Sequence, residues 1–271
     1  MIQLYLSTPQ FKAQIPNWAL AFTVAAAFLV AETATPYARE FLLVDPTINH
    51  PFTYDERITG PFCLFLVSLI PFAVITACVF VPFQKGIVSN HSKLHLYHVS
   101  LLALVIVLSM NGLATDLLKN WIGRPRPDFL ARCGAQKMSL EAMSLKFYTA
   151  EICTAPLGAA VLEDGFRSCP SGHTSFAFAG LGFLALWCGF QWQVLRTDVL
   201  VWRVFVGCIA PIMGAFYIGI SRILDYRHHF EDIMFGMLVG LAISVTVFFK
   251  FRLVLCTPGS EEEIAKPVLP L

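Results

Sequence analysis

The sequence predicts an all-α, polytopic membrane protein: a bundle of six transmembrane helices with its active site at one membrane face. Three observations carry that expectation. Of the 271 residues, 56% are hydrophobic and only 14% are charged, and the mean hydropathy is +0.66, well off the balance of a soluble domain. Six stretches are long and apolar enough to cross a bilayer; buried in a soluble chain of this size, they would leave little polar surface to cover them. The residues with chemical potential fall in the connections that parity puts on one side.

The elements follow in chain order. Residues 1–14 are an N-terminal tail in which Lys12 is the single basic residue. Ile15–Ala34 is read as a retained first helix and not as a cleaved signal peptide, because so little positive charge precedes it and Glu32 interrupts any cleavage region. Pro61–Phe83 and Leu96–Leu118 are the second and third spans. The turn Pro170-Ser171-Gly172 introduces the fourth, Thr174–Trp192. Val204–Ile220 and Ile233–Phe249 are short uncharged cores that need flanking residues to cover a hydrocarbon layer of about 30 Å. One membrane domain, residues 15–252, is followed by a tail, 253–271, whose "CTPGSEEEIAKPVLPL" is polar at its start, contains prolines and is expected to be disordered.

Charge and cysteine usage narrow the class further. The net charge is +1, and no basic run points to nucleic acid as a partner. Cys63, Cys78, Cys188 and Cys208 lie in apolar stretches, where cysteine behaves as a small hydrophobe. Cys256 is in the tail. Cys133, Cys153 and Cys169 share the long connection between the third and fourth spans, and their state depends on which compartment that connection meets.

With six spans, the third-to-fourth and fifth-to-sixth connections emerge on the same face. "LLKNWIGRPRPDF" closes the third span, "RSCPSGHTSF" opens the fourth, and "YIGISRILDYRHHFEDIMFG" joins the fifth to the sixth. Any one Lys or Arg there reads as an interfacial anchor. Together they supply strong cations (Lys119, Arg126, Arg222), imidazoles (His173, His228, His229) and a carboxylate, Asp232, four residues after His228. If the last helix begins near His228, Asp232 stacks on the same face and fixes the imidazole tautomer, which leaves the other ring nitrogen as a base or nucleophile. Three cations favour a highly charged anion such as phosphate, and the turn entering the fourth helix offers backbone N–H groups to it. Two His and one Asp also make a facial triad for iron, but a divalent cation among Lys119, Arg126 and Arg222 would be repelled. His229, about 100° from His228 on a helix, reads as interfacial.

At this point the chain resembles a known family, the type 2 phosphatidic acid phosphatases or lipid phosphate phosphatases. Three motifs carry the resemblance: Lys119-(six residues)-Arg126-Pro127, Pro170-Ser171-Gly172-His173, and Ser221-Arg222-(five residues)-His228-(three residues)-Asp232. It covers roughly residues 15 to 250, and "DPTINHPF" in the first connection points to fungal and plant members that act on phosphatidate and diacylglycerol pyrophosphate. The resemblance implies that His228 attacks phosphorus to form a phosphohistidine and that Asp232 orients it. It implies that His173 protonates the leaving oxygen and then activates water. Lys119, Arg126, Arg222 and the Ser171/Gly172 turn would hold the phosphoryl oxygens. No metal or other cofactor is implied, and the partner is a phospholipid from the bilayer. Arg124 has no motif role.

Vanadium haloperoxidases and glucose-6-phosphatases share these motifs, so the site alone fixes phosphate or vanadate more firmly than substrate. Membrane spans argue against the peroxidases. Polyprenyl pyrophosphate is the alternative substrate, and a non-enzymatic lipid-binding protein would be expected to lack His173 or His228. Of 19 Lys and Arg, eight fall on the side of the termini and eleven on the side of the site, so charge does not orient the chain. The resemblance implies cytosolic termini and a lumenal site in an endomembrane: vacuole, Golgi or ER. In that oxidising compartment Cys133 is expected to pair with Cys153, leaving Cys169 beside the phosphate-binding turn.

Overall fold

The structure is a computed structural model that describes residues 2–80, 90–135, 146–194 and 199–255. It is mainly helical, with a single two-stranded pairing among the described residues. Two short helices, α1 (Ile2–Leu6) and α2 (Pro9–Lys12), lead into α3 (Ile15–Glu32); α4 is Gly60–Phe80 and α5 is Asn90–Ile122. Between the third and fourth spans lie α6 (Phe129–Cys133) and α7 (Ala159–Asp164), and then α8 (Gly172–Gln191) crosses back. The fifth span joins α9 (Val201–Val204), a π-helical stretch Phe205–Ile209, and α10 (Ala210–Leu224), and α11 (Phe230–Leu255) is the sixth. Among the described residues, six helices are thus long and apolar enough to cross a membrane: Pro9–Glu32, Gly60–Phe80, Lys93–Ile122, Gly172–Gln191, Val201–Leu224 and Phe230–Leu255. Each of the two short sequence cores gains residues at both ends. The π-helical stretch has a local cause, because Pro211 has no N–H for the carbonyl of Gly207 and the ladder must shift there.

Residues 2–12, offered by the sequence only as a tail, form helices that dock on α5. Thr8 caps α2 by accepting from the Phe11 amide, a typical N-terminal arrangement with Pro9 following it. The buried Tyr5 places its hydroxyl 2.8 Å from Nδ1 of both His95 and His98, and Trp18 Nε1 donates to His98 Nε2 at 2.7 Å. Residues 256–271, most of the expected C-terminal tail, lie outside the described residues.

Helix α8 is the axis of the bundle. It touches α11, α10, α4 and α5 and is buried along most of its length, whereas α3 is exposed along most of its own. Outward-facing Phe22, Phe65 and Met213 suit hydrocarbon. One apolar cluster gathers Leu102, Phe183, Trp187 and Phe248; a second gathers Val67, Phe178, Leu181 and Ile218. The closest crossing is α11 on α8. A Cβ on Gly240 would lie 2.3 Å from the Ser175 carbonyl oxygen, and one on Gly236 would lie 2.6 Å from that of Ser171. Small residues at this i, i+4 spacing let two helix backbones meet in a membrane. The same stripe begins one turn earlier with Asp232, so the crossing that packs the bundle also sets the carboxylate against the entry of α8.

A small second core sits outside the membrane, on the side of the site. Strands β1 (Phe41–Leu42) and β2 (Phe147–Tyr148) pair antiparallel, with Phe41 opposite Tyr148. Phe41, Leu43, Ile48, Phe129, Tyr148 and Phe166 pack together, and the Phe129 ring centroid lies 4.7 Å from that of Phe41 and 4.6 Å from that of Phe166. Cys133 and Cys153 are joined by a disulfide within this core. The aromatic residues of this core come from two separate connections, Phe41 from the first and Phe129, Tyr148 and Phe166 from that between the third and fourth spans.

Candidate active site

Four helix ends converge beneath this cap: the C-termini of α5 and α10 and the N-termini of α8 and α11. Helix α5 stops because Gly123 takes the left-handed conformation, φ +59°, and its amide bonds back to the Lys119 carbonyl at 3.1 Å, the usual αL termination. A Cβ there would collide with the Tyr37 carbonyl, at 2.0 Å. That turn sends "RPRP" back over the helix end, so Lys119 and Arg126 reach the same place from opposite sides of a chain reversal. Lys119 Nζ lies 3.4 Å from Asp116 and 2.9 Å from where a Cβ on Gly172 would sit. The ammonium is therefore packed on the entry of α8.

At that entry Ser171 is an N-cap. Its fully buried hydroxyl accepts from the Thr174 hydroxyl at 3.0 Å and from the Thr174 amide at 3.4 Å, and its own amide donates to the Asp232 carbonyl at 3.0 Å. The hydroxyl thus serves the helix, and the donors left to point out of the helix end are the first-turn N–H groups of Gly172 and His173.

His228 is 3% exposed and lies in the turn before α11, not on the helix. The sequence argument that Asp232 stacks under it by helical spacing therefore gives way to a different geometry. The Ser168 carbonyl oxygen lies 2.6 Å from His228 Nδ1, while Asp232 Oδ2 is 3.8 Å away, beyond a hydrogen bond. Asp232 is the third residue of α11 and fills a capping role, since its Oδ2 accepts from the His229 amide at 2.9 Å. The same oxygen accepts from Ser168 Oγ at 2.6 Å, and Oδ1 accepts from Arg124 Nη1 at 2.8 Å. Asp232 thus fixes Ser168, and Ser168 fixes His228.

These contacts determine the tautomer. A carbonyl oxygen only accepts, so Nδ1 carries the proton; Arg126 Nη1, 3.3 Å from Nε2, only donates, so Nε2 presents a lone pair. Burial lowers the His228 pKa from 6.5 to about 3, and Arg126 and Lys119 add to this against the opposing charge of Asp232. The ring is neutral at ordinary pH. His173 stands at the head of α8 with Nε2 3.1 Å from the Ile58 carbonyl, so that nitrogen donates and Nδ1 is left to exchange protons. His229, expected as an interfacial side chain, is half-buried with Nε2 donating to the Pro125 carbonyl at 3.2 Å.

The two arginines differ. Arg126 gives Nε and Nη2 to Asp164, through its carbonyl and Oδ1, both at 2.9 Å, and turns Nη1 toward His228, where the Arg227 carbonyl also accepts at 3.0 Å. Burial raises the Asp164 carboxyl, but Arg126, Arg132 and Lys119 outweigh it and hold it below the usual carboxylate range. Its side chain is 45% accessible, so solvent screens part of that attraction. Arg222 is almost wholly enclosed. Its Nη1 meets Glu56 at 2.7 Å, Nη2 meets Asp225 at 2.8 Å, and Nε donates to Ser221 at 3.2 Å. Ser168, Arg124, Asp164, Asp225 and Glu56 were not singled out by sequence as site residues. Only Ser168 and Arg124 had a signal, each standing two residues from a motif residue.

A family model described as the PAP2 superfamily matches residues 99–253, the stretch that supplies both imidazoles and the three cations. The chain belongs to the PAP2 superfamily. Among curated proteins, it is 38% identical over 237 residues to a Schizosaccharomyces pombe protein named probable diacylglycerol pyrophosphate phosphatase 1, covering 86% of this chain and 79% of that one. It is 36% identical over 208 residues to diacylglycerol pyrophosphate phosphatase 1 of Saccharomyces cerevisiae, covering 76% and 68%. Lipid phosphate phosphatase 2 of Arabidopsis thaliana is 29% identical over 238 residues, covering 87% and 76%. No solved structure matches the chain. In this PAP2 chain, the matched region leaves out the first connection, residues 33–59, which nevertheless reaches both Arg222 and His173.

Proposed function

We propose that this protein is an integral membrane lipid phosphate phosphatase that removes phosphate from phosphatidate, lysophosphatidate and diacylglycerol pyrophosphate through a phosphohistidine, without a metal ion. The observation that carries the reading is the forced tautomer of His228: a neutral, buried imidazole whose Nε2 lone pair stands beside Arg126. His228 Nε2 attacks phosphorus, and the bond from phosphorus to the leaving oxygen breaks. His173 donates a proton to that oxygen, then takes one from the water that splits the phosphorus–nitrogen bond, releasing phosphate and restoring His228. Arg126, Lys119 and the first-turn amides of α8 stabilise the charge gathered on the phosphoryl oxygens.

Metal independence is supported by the donor set. Both oxygens of Asp232 are taken by Arg124, Ser168 and the His229 amide, which leaves a poor ligand, and the nearby cations already supply the positive charge that phosphate needs. The Cys133–Cys153 disulfide supports a site on an oxidising, lumenal side with cytosolic termini. The test is phosphate release from phosphatidate, lysophosphatidate, diacylglycerol pyrophosphate and a polyprenyl pyrophosphate in detergent micelles, with and without EDTA. Turnover of the glycerolipids that persists in EDTA and is inhibited competitively by vanadate is expected. Loss on chelation, restored by magnesium or iron, would overturn the metal-free mechanism, and preference for the polyprenyl substrate would overturn the lipid assignment.

A further inference from the structure

The carboxylate of Glu56 belongs to none of the motifs, yet it bridges two arginines at the edge of the site. Its Oε2 lies 2.7 Å from Arg222 Nη1 and its Oε1 2.6 Å from Arg227 Nη2. We propose that Glu56 is a positioning residue for the phosphatase reaction, holding Arg222 and the Arg227–His228 segment in register with His173. The proposal rests on the phosphatase reading above.

The path from Glu56 to the reacting atoms is short on both sides. Arg227 is gripped by Glu56, by the Thr53 carbonyl at 3.1 Å, and by the Phe52 ring, whose centroid is 4.5 Å from its guanidinium carbon. Its main-chain carbonyl accepts from Arg126 Nη1 at 3.0 Å, and the next residue is the nucleophile. Fixing the Arg227 side chain therefore fixes the carbonyl that aims Arg126 and the backbone that carries His228. Two residues beyond Glu56, the Ile58 carbonyl accepts from Nε2 of His173 at 3.1 Å. One strap, Thr53–Ile58, thus touches the supports of both imidazoles and sets their separation, the quantity on which proton delivery to a departing oxygen depends.

The charge of Glu56 matters as well as its reach. Arg222, 1% exposed, and Arg227, 8% exposed, share this carboxylate, and in a poorly solvated site two guanidinium groups with no anion between them repel. Glutamine keeps the length of the side chain and removes the anion. A different role, in which Glu56 is displaced by the substrate phosphoryl group, makes the opposite kinetic prediction: removal of the carboxylate lowers KM and leaves kcat unchanged or raised.

The test compares wild type, Glu56→Gln and Glu56→Asp as full-length chains in micelles, with phosphatidate as substrate and His228→Ala as the reference for a dead nucleophile. Both Glu56 variants should lose kcat by roughly 10- to 100-fold, the scale of a small misplacement of reacting groups, with KM changed by less than about threefold. Tm should fall in Glu56→Gln, which leaves two guanidinium groups without their shared anion, and less in Glu56→Asp, which keeps the charge. The phosphoenzyme should form more slowly in both. Unchanged kcat in either folded variant, or a lowered KM with kcat retained, overturns the proposal. Should Glu56→Gln fail to fold, Glu56→Asp, which keeps the charge but shortens the reach, decides in the same way. Wild type that is inactive on every lipid phosphate refutes the phosphatase reading itself, a result separate from any difference between wild type and the Glu56 variants.

Discussion

The main-chain oxygen of Ser168 is the hydrogen-bond partner of His228 Nδ1, at 2.6 Å. Orientation of the His228 ring thus runs through a peptide carbonyl that no side-chain substitution removes, and the carboxylate acts one step further away. Asp232→Asn takes away the anion that holds Ser168 Oγ and Arg124, and kcat is expected to fall by about two orders of magnitude or more. Ser168→Ala leaves the carbonyl in place and loses a single hydrogen bond to a charged group, so its loss should be smaller, about 10-fold. Steady-state kinetics of the two variants and the double mutant check this. A Ser168→Ala defect larger than that of Asp232→Asn would show that the hydroxyl, not the carbonyl, orients the ring.

The two imidazoles should separate by the step each one blocks. His228→Ala is expected to form no acid-labile phosphoenzyme, while His173→Ala should form it slowly and hydrolyse it slowly. Rapid quenching of labelled substrate reads both. Label retained in His228→Ala refutes the assignment of the nucleophile.

Acid should destabilise the fold partly through His228. Its folded pKa, about 3, lies below the unfolded value of 6.5, so the unfolded chain takes up the proton first. The stability associated with the neutral ring is complete above about pH 6.5 and is lost progressively as pH falls toward 3. Thermal melts in detergent between pH 7 and pH 4 should therefore show a steeper decline for wild type than for His228→Asn. Parallel curves would mean that the ring is solvated and titrates normally.

Gly240→Ala is expected to cost roughly 1–3 kcal/mol and to lower activity, because its Cβ would meet the Ser175 carbonyl at 2.3 Å and push α11 away from α8. Gly182→Ala is the control. Its nearest neighbours, Ser244 Oγ and Leu241 Cδ2, are at 3.4 and 3.5 Å and leave room for a methyl. Melting temperature and kcat should fall together at position 240 and remain near wild type at 182.

Cys133→Ser should lower stability by about 3 kcal/mol on the chain-entropy account of a loop of 20 residues. Asp164 and Arg132 belong to the same cap, and Asp164 holds Arg126, so a fall in kcat should accompany the loss. Peptide mapping without reduction, on protein from its native membrane, checks the pairing. Free thiols at both positions would remove this support for a lumenal site.

The membrane architecture and the motif residues were legible because each depends on local pattern: apolar length for the spans, and residue type at helix ends for the imidazoles and cations. Tertiary choices were not. Asp232 four residues after His228 looks like a helical pair, but the helix begins at Phe230, and the first turn uses the carboxylate as its own cap. The Ser171/Gly172 turn was legible as an entry to α8; that the Ser171 amide donates to the Asp232 carbonyl across the helix crossing was not. Arg222 was expected to hold phosphoryl oxygens, and its guanidinium meets two carboxylates that lie 3 and 166 residues away in sequence. No spacing rule reaches the second of these. The N-terminal helices escaped notice because Tyr5, Trp18 and His98 have meaning only as a set.

The Gly236–Gly240 crossing has a consequence for how the protein meets membranes of different thickness. Backbone-to-backbone contact leaves α11 and α8 no side-chain layer in which to slide, so a change in tilt between them would carry Asp232 away from Ser171 and Ser168. A bilayer thinner or thicker than the protein's apolar height must therefore be accommodated elsewhere. The outer helix α3 is mostly exposed along its length, and the fifth span already departs from regular α-helix at Phe205–Ile209. Hydrophobic mismatch is thereby taken up at the periphery, and the geometry around His228 stays the same from one bilayer thickness to the next.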